Sequence, residues 1–433
     1  MFHRTLLSGI FVLLLGIQLG VANKYTKEAN EKGSCTGNHC IKDDGPCLDD
    51  GKPRLSRWDP IKIGHVRELK LEGEKTFKMI TRAISPPVFE IPDFLSSDEC
   101  DHIMNIAKEF GMHESDLHWD PITTGHMKMI RSTEGHSNST AGFFLNWDMD
   151  RDFEITREEI KMFAEKVKYI VLEDKDIDEM IKNLDLKEME DDIVDYEEWQ
   201  TFPTNAIDMY LNDLKEKHPH HRDRYSKQVW LFQGKKADKT MRKLRKRIWK
   251  LTGLPKAIVY GGEPLQVVGY NERGHYNAHY DASRKSDFPK DKCCHFDLEH
   301  VPYCRLCRYI TVLYYLNDVE EGGETAFPVA DIQDFNETEF RDRKFGNRYN
   351  LGKYCHSSKL VVPAKKGKAI MWYNFLQDDK TGWMGLREDR SLHGGCDVIK
   401  GHKYVANNWL PAPEPDSAHL RSDYLYDDEL AED

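Results

Sequence analysis

The chain has 433 residues, of which 39% are hydrophobic, enough for a folded core and more than one domain. This composition excludes a wholly disordered chain, a collagen-like chain and a multi-span membrane protein. The formal net charge is −12, from 62 basic and 74 acidic residues. Such an acidic balance argues against phosphate backbones, so we expect no nucleic-acid partner.

The N-terminus has the features of a secretory signal. An apolar stretch from Leu6 to Val21 follows two basic residues, and a polar continuation begins after Ala22. We interpret residues 1–22 as a cleaved signal peptide or as an uncleaved signal anchor, because the stretch is near the lower limit for spanning a bilayer. Both alternatives predict the secretory pathway, in the lumen of the endoplasmic reticulum or anchored to its membrane on the lumenal side.

The next residues, 23–84, show no sustained periodicity, and we expect a loosely ordered lead-in segment. The character of the sequence changes at Pro87. Residues 88–91 are typical of a strand, and Ser96 with Glu99 offers a capping box for a following helix. We therefore place the start of the folded body at residue 87.

Residues 148–159 have the spacing of a calcium-binding loop. Carboxylates stand at positions 1, 3, 5 and 12, where a loop can wrap around one hard cation. These residues are Asp148, Asp150, Asp152 and Glu159, with the backbone carbonyl of Glu154 as a further ligand. The loop resembles the EF-hand family but has Phe153 where the sharp turn requires Gly, so we expect strain and weakened affinity. The alternative is an acidic helix pair without metal.

A partner hand is expected to follow, and Glu198 provides a suitable end for its loop. Counting back, however, places Lys187 and Met189 at the first and third positions, and neither is a useful calcium ligand. A longer loop beginning at Asp185 is the alternative. We predict an EF-hand pair at residues 136–205, in an acidic helical region that extends to about residue 215, and leave calcium binding by the second hand open.

The remainder of the chain begins with a basic run at residues 235–250. Apolar residues recur within it at helical spacing, namely Met241, Leu244, Ile248 and Leu251. This pattern favours the solvated face of an amphipathic helix over a nucleic-acid patch. Short β-rich segments follow at 265–270, 309–316, 360–363, 369–373 and 404–410. Because turns and no alternating helices separate them, they predict an antiparallel barrel or a double-sheet jelly roll.

Cysteines and glycosylation sequons fit an oxidising lumen. The chain has ten cysteines, and sequons at Asn138 and Asn336 predict a glycoprotein. A quartet formed by Cys293, Cys294, Cys304 and Cys307 permits either a zinc site or disulfides. In a lumenal protein we favour disulfides.

Three residues of the C-terminal half could form an iron site. His279 and Asp281 are two positions apart on a segment with strand character, so their side chains should share one face. His393 could complete a two-histidine, one-carboxylate set. Such a set holds octahedral Fe(II) and leaves three positions open for a chelating co-substrate and O2.

Lys403 follows His393 across the turn at 400–401. If the two residues face the same interior across a hairpin with an odd loop, Lys403 pairs opposite Asp397, at a distance suited to a five-carbon dicarboxylate. The ammonium group would then bind the distal carboxylate of 2-oxoglutarate while the keto-acid end chelates iron. These four residues, His279, Asp281, His393 and Lys403, are the predicted catalytic set.

Several stretches around these residues resemble the prolyl 4-hydroxylase family of Fe(II)/2-oxoglutarate dioxygenases. They are 89–107, 262–268, Tyr270, 274–281, 308–317, 322–328 and 393–409. The resemblance implies a double-stranded β-helix (jelly-roll) catalytic domain at 87–115 and 220–412. It also implies a need for ascorbate, and it makes Tyr270, Thr311 and Tyr315 candidates for the co-substrate pocket. For Thr311 the alternative is an ordinary core residue.

The calcium hands interrupt the catalytic segments, and with the leading hydrophobic segment this is similar to the transmembrane prolyl 4-hydroxylase subgroup. The predicted fold class is thus α+β, a jelly-roll domain with an inserted α-helical EF-hand domain and an acidic tail at 413–433. Two functions compete. One is an enzyme that hydroxylates C4 of proline in a peptide or protein; the other is a lumenal calcium-binding protein whose dioxygenase domain is a scaffold or acts on another substrate. The presence of all four catalytic candidates favours the enzyme.

Overall fold

The computed structural model describes residues 55–115 and 143–412, apart from 235–236, 255, 292, 294–304 and 342–345, together with the backbone of 40–42 and 45–46. The predicted signal segment 1–22, the sequon at Asn138 and the acidic tail 413–433 lie outside the described residues. In the ranges that are described, none of the helices has the length and apolar content needed to cross a bilayer.

The N-terminal part of the chain forms strands and one long helix. In chain order these are β1 (Cys40–Lys42), β2 (Gly45–Pro46), β3 (Arg57–Trp58), β4 (Val66–Glu72), β5 (Lys75–Ile84), β6 (Pro87–Ile91), α1 (Ser97–Phe110) and β7 (His113–Glu114). The predicted capping box is confirmed: the Glu99 N–H donates to Ser96 Oγ (3.1 Å), and the Ser96 N–H donates to Glu99 Oε2 (2.9 Å).

Residues 66–84 correct the expectation of a loosely ordered lead-in at 23–84. They form β4 and β5, which pair with each other and, through β6, join the largest sheet. Leu69, Leu71, Phe77 and Met79 enter the core. The alternation is broken in both strands, because apolar Val66 and Ile84 are exposed while polar Arg67 and Thr81 are buried.

The acidic region forms a separate helical unit. Its elements are β8 (Glu154–Thr156), α2 (Arg157–Phe163), α3 (Asp174–Leu184), β9 (Ile193–Asp195) and α4 (Thr204–Lys217). Its own apolar core includes Trp147, Phe163 and Ile177, and it extends beyond the predicted boundary at 205 to Ile207 and Leu211 of α4. β8 and β9 pair antiparallel.

The C-terminal part supplies the remaining strands. In chain order they are β10 (Arg224–Tyr225), β11 (Lys227–Leu231), β12 (Leu265–Tyr270), β13 (His275–His279), β14 (Arg308–Tyr315), β15 (Glu321–Gly322), β16 (Thr325–Phe327), β17 (Leu360–Val362), β18 (Ala369–Tyr373), β19 (Phe375–Gln377), β20 (Met384–Arg387), β21 (His393–Gly395), β22 (Val398–Lys400) and β23 (Lys403–Pro411). All five predicted β-rich segments are confirmed within one or two residues.

Four helices accompany these strands, namely α5 (Lys239–Thr252), α6 (Lys256–Tyr260), α7 (Glu337–Arg341) and α8 (Leu351–Tyr354). α5 is the predicted amphipathic basic helix. It buries Met241, Leu244, Ile248 and Leu251 in the core that α1 also joins. The basic run is therefore a packed helix with a charged outer face, as expected.

Two antiparallel sheets share a core around the site. The major sheet has the order β4-β5-β6-β18-β14-β23-β12-β11-β7, and the minor sheet has the order β10-β13-β21-β16-β17. One apolar cluster contains residues of both sheets, including Tyr270 and Trp372 of the major sheet and Phe327 and Val362 of the minor one. This mixed α/β architecture with two facing sheets is consistent with the predicted jelly roll.

Two disulfides tie loops to this framework. Cys293 bonds to Cys307, and Cys355 bonds to Cys396. The preference for disulfides over zinc is thus confirmed for Cys293 and Cys307, whereas Cys294 and Cys304 lie outside the described residues. The second bond anchors the residue after α8 close to β21, the strand that begins with His393.

Candidate active site

The three candidate iron ligands converge at the minor sheet. β13 ends at His279 and β21 begins at His393, and the pairing of the two strands places these residues directly opposite each other. Asp281 lies just beyond the end of β13, so it does not share a regular strand face with His279 as predicted. The ligand-type atoms of all three residues nevertheless lie within 4.8 Å of one another.

The three side chains face one another closely. His279 Nε2 lies 3.8 Å from Asp281 Oδ1, and His393 Nε2 lies 3.5 Å from Asp281 Oδ2. Asp281 and His393 are buried, and His279 is partly exposed. Burying two imidazoles and one carboxylate costs free energy unless the groups are paired or bind a cation.

The imidazole rings are oriented for metal binding through Nε2. His279 Nδ1 is 2.8 Å from the Asn277 carbonyl, and His393 Nδ1 is 2.8 Å from the Ser391 carbonyl. Because a carbonyl only accepts, each Nδ1 carries the proton, which leaves the Nε2 lone pair facing the carboxylate. Burial, reinforced by the neighbouring His393, lowers the pKa of His279 to about 3. The ring is therefore neutral at physiological pH, as a metal ligand must be.

Asp281 is held as a carboxylate. Burial alone would raise its pKa, but His393, His279, Arg308 and a hydrogen bond from Thr311 outweigh this effect and the pKa is lowered. Two donors, Thr311 Oγ1 (2.7 Å) and Trp409 Nε1 (3.0 Å), reach Asp281 Oδ2. Two imidazole Nε2 atoms and an ionised carboxylate form the donor set that suits Fe(II).

The set opens into a cavity of about 150 Å³ between the two sheets. Its lining includes the three candidate ligands, Tyr270 and Lys403. Lys403 is buried, with Nζ 5.2 Å from the centre of the Tyr270 ring and 3.5 Å from the Glu324 carbonyl. Burial lowers the pKa of Lys403 to about 8, an effect that Glu324 partly opposes. A buried ammonium in this position favours an anionic ligand.

The route by which Lys403 reaches the cavity differs from the predicted hairpin. Lys403 pairs with Tyr270 of β12 rather than with Asp397. β22 pairs instead with β15, so His393 and Lys403 belong to different sheets. The two residues meet in the same cavity because the sheets face each other, a relationship that the local spacing does not encode.

The three further candidates for the co-substrate pocket, Tyr270, Thr311 and Tyr315, have different surroundings in the structure. Tyr270 lines the cavity. Thr311 lies behind Asp281, to which it donates its hydroxyl hydrogen bond. Tyr315 is fully buried and reaches only Thr325 Oγ1, at 2.8 Å, while Thr325 itself lines the cavity. Of the three candidates, Tyr270 lines the cavity, whereas Thr311 and Tyr315 each contact a residue that lines it.

Two residues that support the site were not singled out in the sequence. Trp409 donates to Asp281 and lies under the Arg308 guanidinium, whose Cζ is 3.5 Å from the ring centre. Asn374 is fully buried and donates to Thr311 Oγ1 at 2.8 Å. An Asn directly after the apolar strand β18 is the one local signal, because a buried amide must find partners.

The candidate calcium loop also brings carboxylates together. Oxygens of Asp148, Asp150 and Glu159 lie within 4.8 Å of one another, and Asp148 and Glu159 are buried. Asp152 is exposed and accepts from the Glu154 N–H at 2.9 Å. Phe153 adopts φ of +70°, the left-handed region that favours Gly, as the sequence led us to expect.

The second loop resembles the first in its C-terminal half. Ile155 pairs with Val194, and Glu198 Oε2 accepts from the Asp195 N–H at 3.0 Å, as Glu159 Oε2 does from the Thr156 N–H. Met189 is buried in the helical core. In the described part of this loop, no carboxylate cluster like that of the first loop is found.

Comparisons with known proteins agree with this site. The sequence model of the 2OG-Fe(II) oxygenase superfamily matches residues 265–411. Transmembrane prolyl 4-hydroxylase of Homo sapiens is 34% identical over 359 residues, which cover 82% of this chain and 69% of that protein. Probable prolyl 4-hydroxylase 10 of Arabidopsis thaliana is 34% identical over 198 residues, covering 45% of this chain and 55% of that protein.

Among solved structures, the viral collagen prolyl hydroxylase of Paramecium Bursaria Chlorella virus-1 in its 2OG complex is 23% identical, with a TM-score of 0.26 over 47% of this chain and 87% of that one. The sequence comparisons define a 2-oxoglutarate-dependent Fe(II) dioxygenase. Within that class, the chain belongs to the prolyl 4-hydroxylase family.

Proposed function

We propose that this chain hydroxylates C4 of proline in a peptide or protein substrate, using Fe(II), 2-oxoglutarate, O2 and ascorbate. The observation that carries the proposal is the convergence of His279, Asp281 and His393 on a cavity that also contains the buried Lys403 ammonium. A metal set and an anion anchor in one cavity are what a chelating dicarboxylate co-substrate requires.

In this proposal the two Nε2 atoms and one Asp281 oxygen hold the iron. Bound iron supplies the activation of O2 that is coupled to decarboxylation of 2-oxoglutarate and to oxygen insertion at a C–H bond. The protein's own residues orient the ligands: the Asn277 and Ser391 carbonyls fix the ring tautomers, and Thr311 and Trp409 fix the carboxylate.

Lys403 binds the distal carboxylate of 2-oxoglutarate, with Tyr270 beside it. Gly395 borders the ammonium, since a Cβ at this position would lie 3.4 Å from Lys403 Nζ. A carboxylate at Nζ would give the buried ammonium a counter-ion and raise its lowered pKa again.

Proline is favoured as the substrate by the family and by the apolar aromatic lining of the cavity. The relatives named above are prolyl 4-hydroxylases. Trp230 and Trp409 line the same cavity with ring centres 5.7 Å apart, and Tyr276 lines it as well. Aromatic faces can pack against the pyrrolidine ring of proline.

The proposal includes calcium binding by an EF-hand insertion in the jelly-roll domain. Asp148, Asp150, Asp152 and Glu159, with the Glu154 carbonyl, would hold the ion. Support comes from the clustered oxygens of three of these residues and from the β8–β9 ribbon that joins the two loops. Two buried carboxylates facing each other are also better tolerated with a cation between them.

We further propose residence in the secretory pathway, in or facing the lumen of the endoplasmic reticulum. Two disulfides support an oxidising compartment, and exposed Asn336 supports glycosylation. Anchoring to a membrane through residues 1–22 remains part of the proposal and rests on the apolar stretch of the sequence alone.

The test of the proposed function is oxygen incorporation into peptides. Purified protein, loaded with Fe(II), is incubated with 2-oxoglutarate, ascorbate and paired peptides that differ only by Pro→Ala, and added oxygen is located by mass spectrometry. We expect oxygen on proline, with none in the His279→Ala variant. Succinate release with oxygen only on lysine, or on no peptide residue, would contradict the prolyl assignment. Succinate release with oxygen on no peptide residue would favour a calcium-binding lumenal protein with another substrate.

A further inference from the structure

A groove of about 670 Å³ lies beside the candidate active site and shares no lining residue with its cavity. The hairpin β19–β20, residues 284–286 and Arg305 border it. The two spaces are neighbours, because Tyr280 lines the active-site cavity and the Arg387 guanidinium of the groove lies 3.6 Å from the centre of the Tyr280 ring. The proposed reaction assigns this groove no role.

The charged side chains of the groove are mostly positive. Five basic residues line it, against three acidic ones, and the basic ones are Arg284, Lys285, Arg305, Arg387 and Arg390. Arg284 and Arg387 both form ion pairs with Asp389 and Glu337, and Arg341 pairs with Glu337 as well. These three arginines share two carboxylates, so the pairs hold the side chains in place and leave an excess of positive charge. Such an excess favours an anionic occupant.

The same groove presents apolar surface to the solvent. Leu386 of β20 is 77% exposed and Leu376 of β19 is 41% exposed, and both line the groove. Trp383, Met384 and Phe335 add to its apolar lining. Exposed leucines grouped in this way are typical of an interaction surface. Together with the basic residues, they suit a segment that carries both acidic and apolar side chains.

The segment 413–433 of this chain has that composition. It lies outside the described residues and contains eight acidic residues and one basic residue. Its stretch 423–430 reads Asp-Tyr-Leu-Tyr-Asp-Asp-Glu-Leu, so aromatic and aliphatic residues stand between carboxylates. The residue before the segment, Ala412, donates its N–H to the Cys307 carbonyl at 3.0 Å, and Cys307 is two residues from Arg305 of the groove. The segment therefore begins close to the groove.

Another basic surface of the protein, the outer face of α5, matches the segment less well. The apolar residues Met241, Leu244, Ile248 and Leu251 of this helix are buried in the core. The outer face thus offers positive charge without a comparable exposed apolar surface, whereas the groove offers both.

We propose that the segment 413–433 docks in this groove of its own chain, with the stretch 423–430 against the hairpin β19–β20. A tethered ligand has an effective concentration on the order of 1 mM, so an intrinsic dissociation constant of about 0.1 mM favours the docked state by roughly tenfold. The docked segment lies beside Tyr280, and a substrate that extends past Tyr280 has to displace it. This consequence rests on the proposed function, whereas the docking itself does not.

The test is binding of a labelled peptide of residues 413–433 to the full-length protein, measured by fluorescence anisotropy. The combined changes Asp427→Asn, Asp428→Asn and Glu429→Gln should release the segment from the groove. We expect this released variant to bind the peptide, and the wild type to bind it about tenfold more weakly because its own segment occupies the groove. In the released variant, a further Leu386→Glu change should weaken peptide binding at least about tenfold. Leu145→Glu, at a leucine that is 66% exposed on the helical unit, is the matched control and should have no effect.

The position of the segment is tested by carbodiimide cross-linking of the wild-type protein, with isotope-labelled and unlabelled chains mixed. We expect exposed Lys285 to be joined to a carboxylate of the segment within one chain. Four results would overturn the proposal. They are no peptide binding by the released variant, equal peptide affinity of the released variant and the wild type, peptide binding unchanged by Leu386→Glu, and cross-links formed only between labelled and unlabelled chains. The last result would assign the groove to an interface between two copies of the protein.

Discussion

His279 and His393 lie directly opposite each other on paired strands, with their ring centres 4.6 Å apart. Each ring turns its Nδ1 to a carbonyl two residues earlier in its own chain segment. The same backbone relationship thus fixes the tautomer of both rings and directs both Nε2 atoms to one point. Such pre-organisation reduces the reorganisation needed when a metal binds.

Lys403 gives a pH-dependent prediction. Its pKa is lowered to about 8 by burial, so the ammonium that attracts 2-oxoglutarate is lost as the pH rises through 8. We expect the concentration of 2-oxoglutarate needed for half-maximal turnover to rise above pH 8, by up to about tenfold per pH unit. Lys403→Arg, which remains charged, should lack this rise.

The same residue can be tested by removal. Lys403→Ala should raise the required 2-oxoglutarate concentration by at least about 30-fold, because loss of one partner of a buried charged pair costs about 2 kcal/mol or more. The iron requirement should change little. An unchanged dependence on 2-oxoglutarate would place the anchor elsewhere.

The calcium loop predicts a large effect of one glutamate and a small effect of its neighbour. Glu159→Gln should weaken calcium binding by the full chain at least about tenfold in calorimetry, because a bidentate carboxylate closes such loops. Glu158 is exposed on the same helix and is not among the clustered ligands, so Glu158→Gln serves as the matched control. Equal heats for wild type and Glu159→Gln would remove the calcium assignment.

Phe153 predicts a stabilising substitution. It holds φ at +70° with 64% of its surface exposed, so Gly would relieve the conformational cost and lose little packing. We expect Phe153→Gly to raise the free energy of unfolding of the helical unit by about 0.5–1 kcal/mol in chemical denaturation. Phe153→Ala removes the same side chain but keeps the strain. Equal stability of the two variants would show that the turn stores no backbone strain.

Arg247 tests whether the N-terminal strands belong to the catalytic core. It is 3% exposed and joins Glu72 of β4 to Glu99 of α1, at 2.5 and 2.7 Å. Arg247→Ala should lower the free energy of unfolding by about 3 kcal/mol, because Glu99 would keep only the more distant Lys243, at 3.8 Å. Exposed Arg242 on the same helix is the control, with an expected change within about 0.5 kcal/mol.

Acid should lower the stability of the folded protein through this cluster of Arg247, Glu72 and Glu99. Burial alone would raise the pKa values of Glu99 and Glu72, but Arg247 outweighs it at Glu99, and Lys243 together with Arg247 outweighs it at Glu72, so both pKa values are lowered. The unfolded chain therefore binds more protons than the folded one as the pH falls below about 4.5, and stability declines there. Arg247→Ala should reduce that decline in pH-dependent thermal unfolding.

The strands and ligand types were predictable because their signals are local. Residues 265–270 and 369–373 form strands with the predicted bounds. His279 and Asp281 are two residues apart, so their proximity is local, although Asp281 lies beyond the end of β13 and not on its face. The region around β4 shows the opposite case, since exposed Val66 and buried Arg67 break the alternation where the strand begins.

The parts of the site that the sequence did not predict depend on contacts between distant parts of the chain. Asp281 is supported by Thr311 and Trp409, which are 30 and 128 residues away, and no spacing rule connects them. Lys403 was assigned to the cavity, but its predicted strand partner was wrong because a hairpin was assumed where the chain crosses from one sheet to the other.

An anaerobic titration of metal-free protein with Fe(II) in the presence of saturating 2-oxoglutarate tests the central claim most directly. Chelation of iron by the keto-acid end produces a visible charge-transfer band, and we predict that this band saturates at one iron per chain. In His279→Ala and His393→Ala the band should be absent or need a large excess of iron. A band of full intensity at one equivalent in either variant would contradict the assignment of this site.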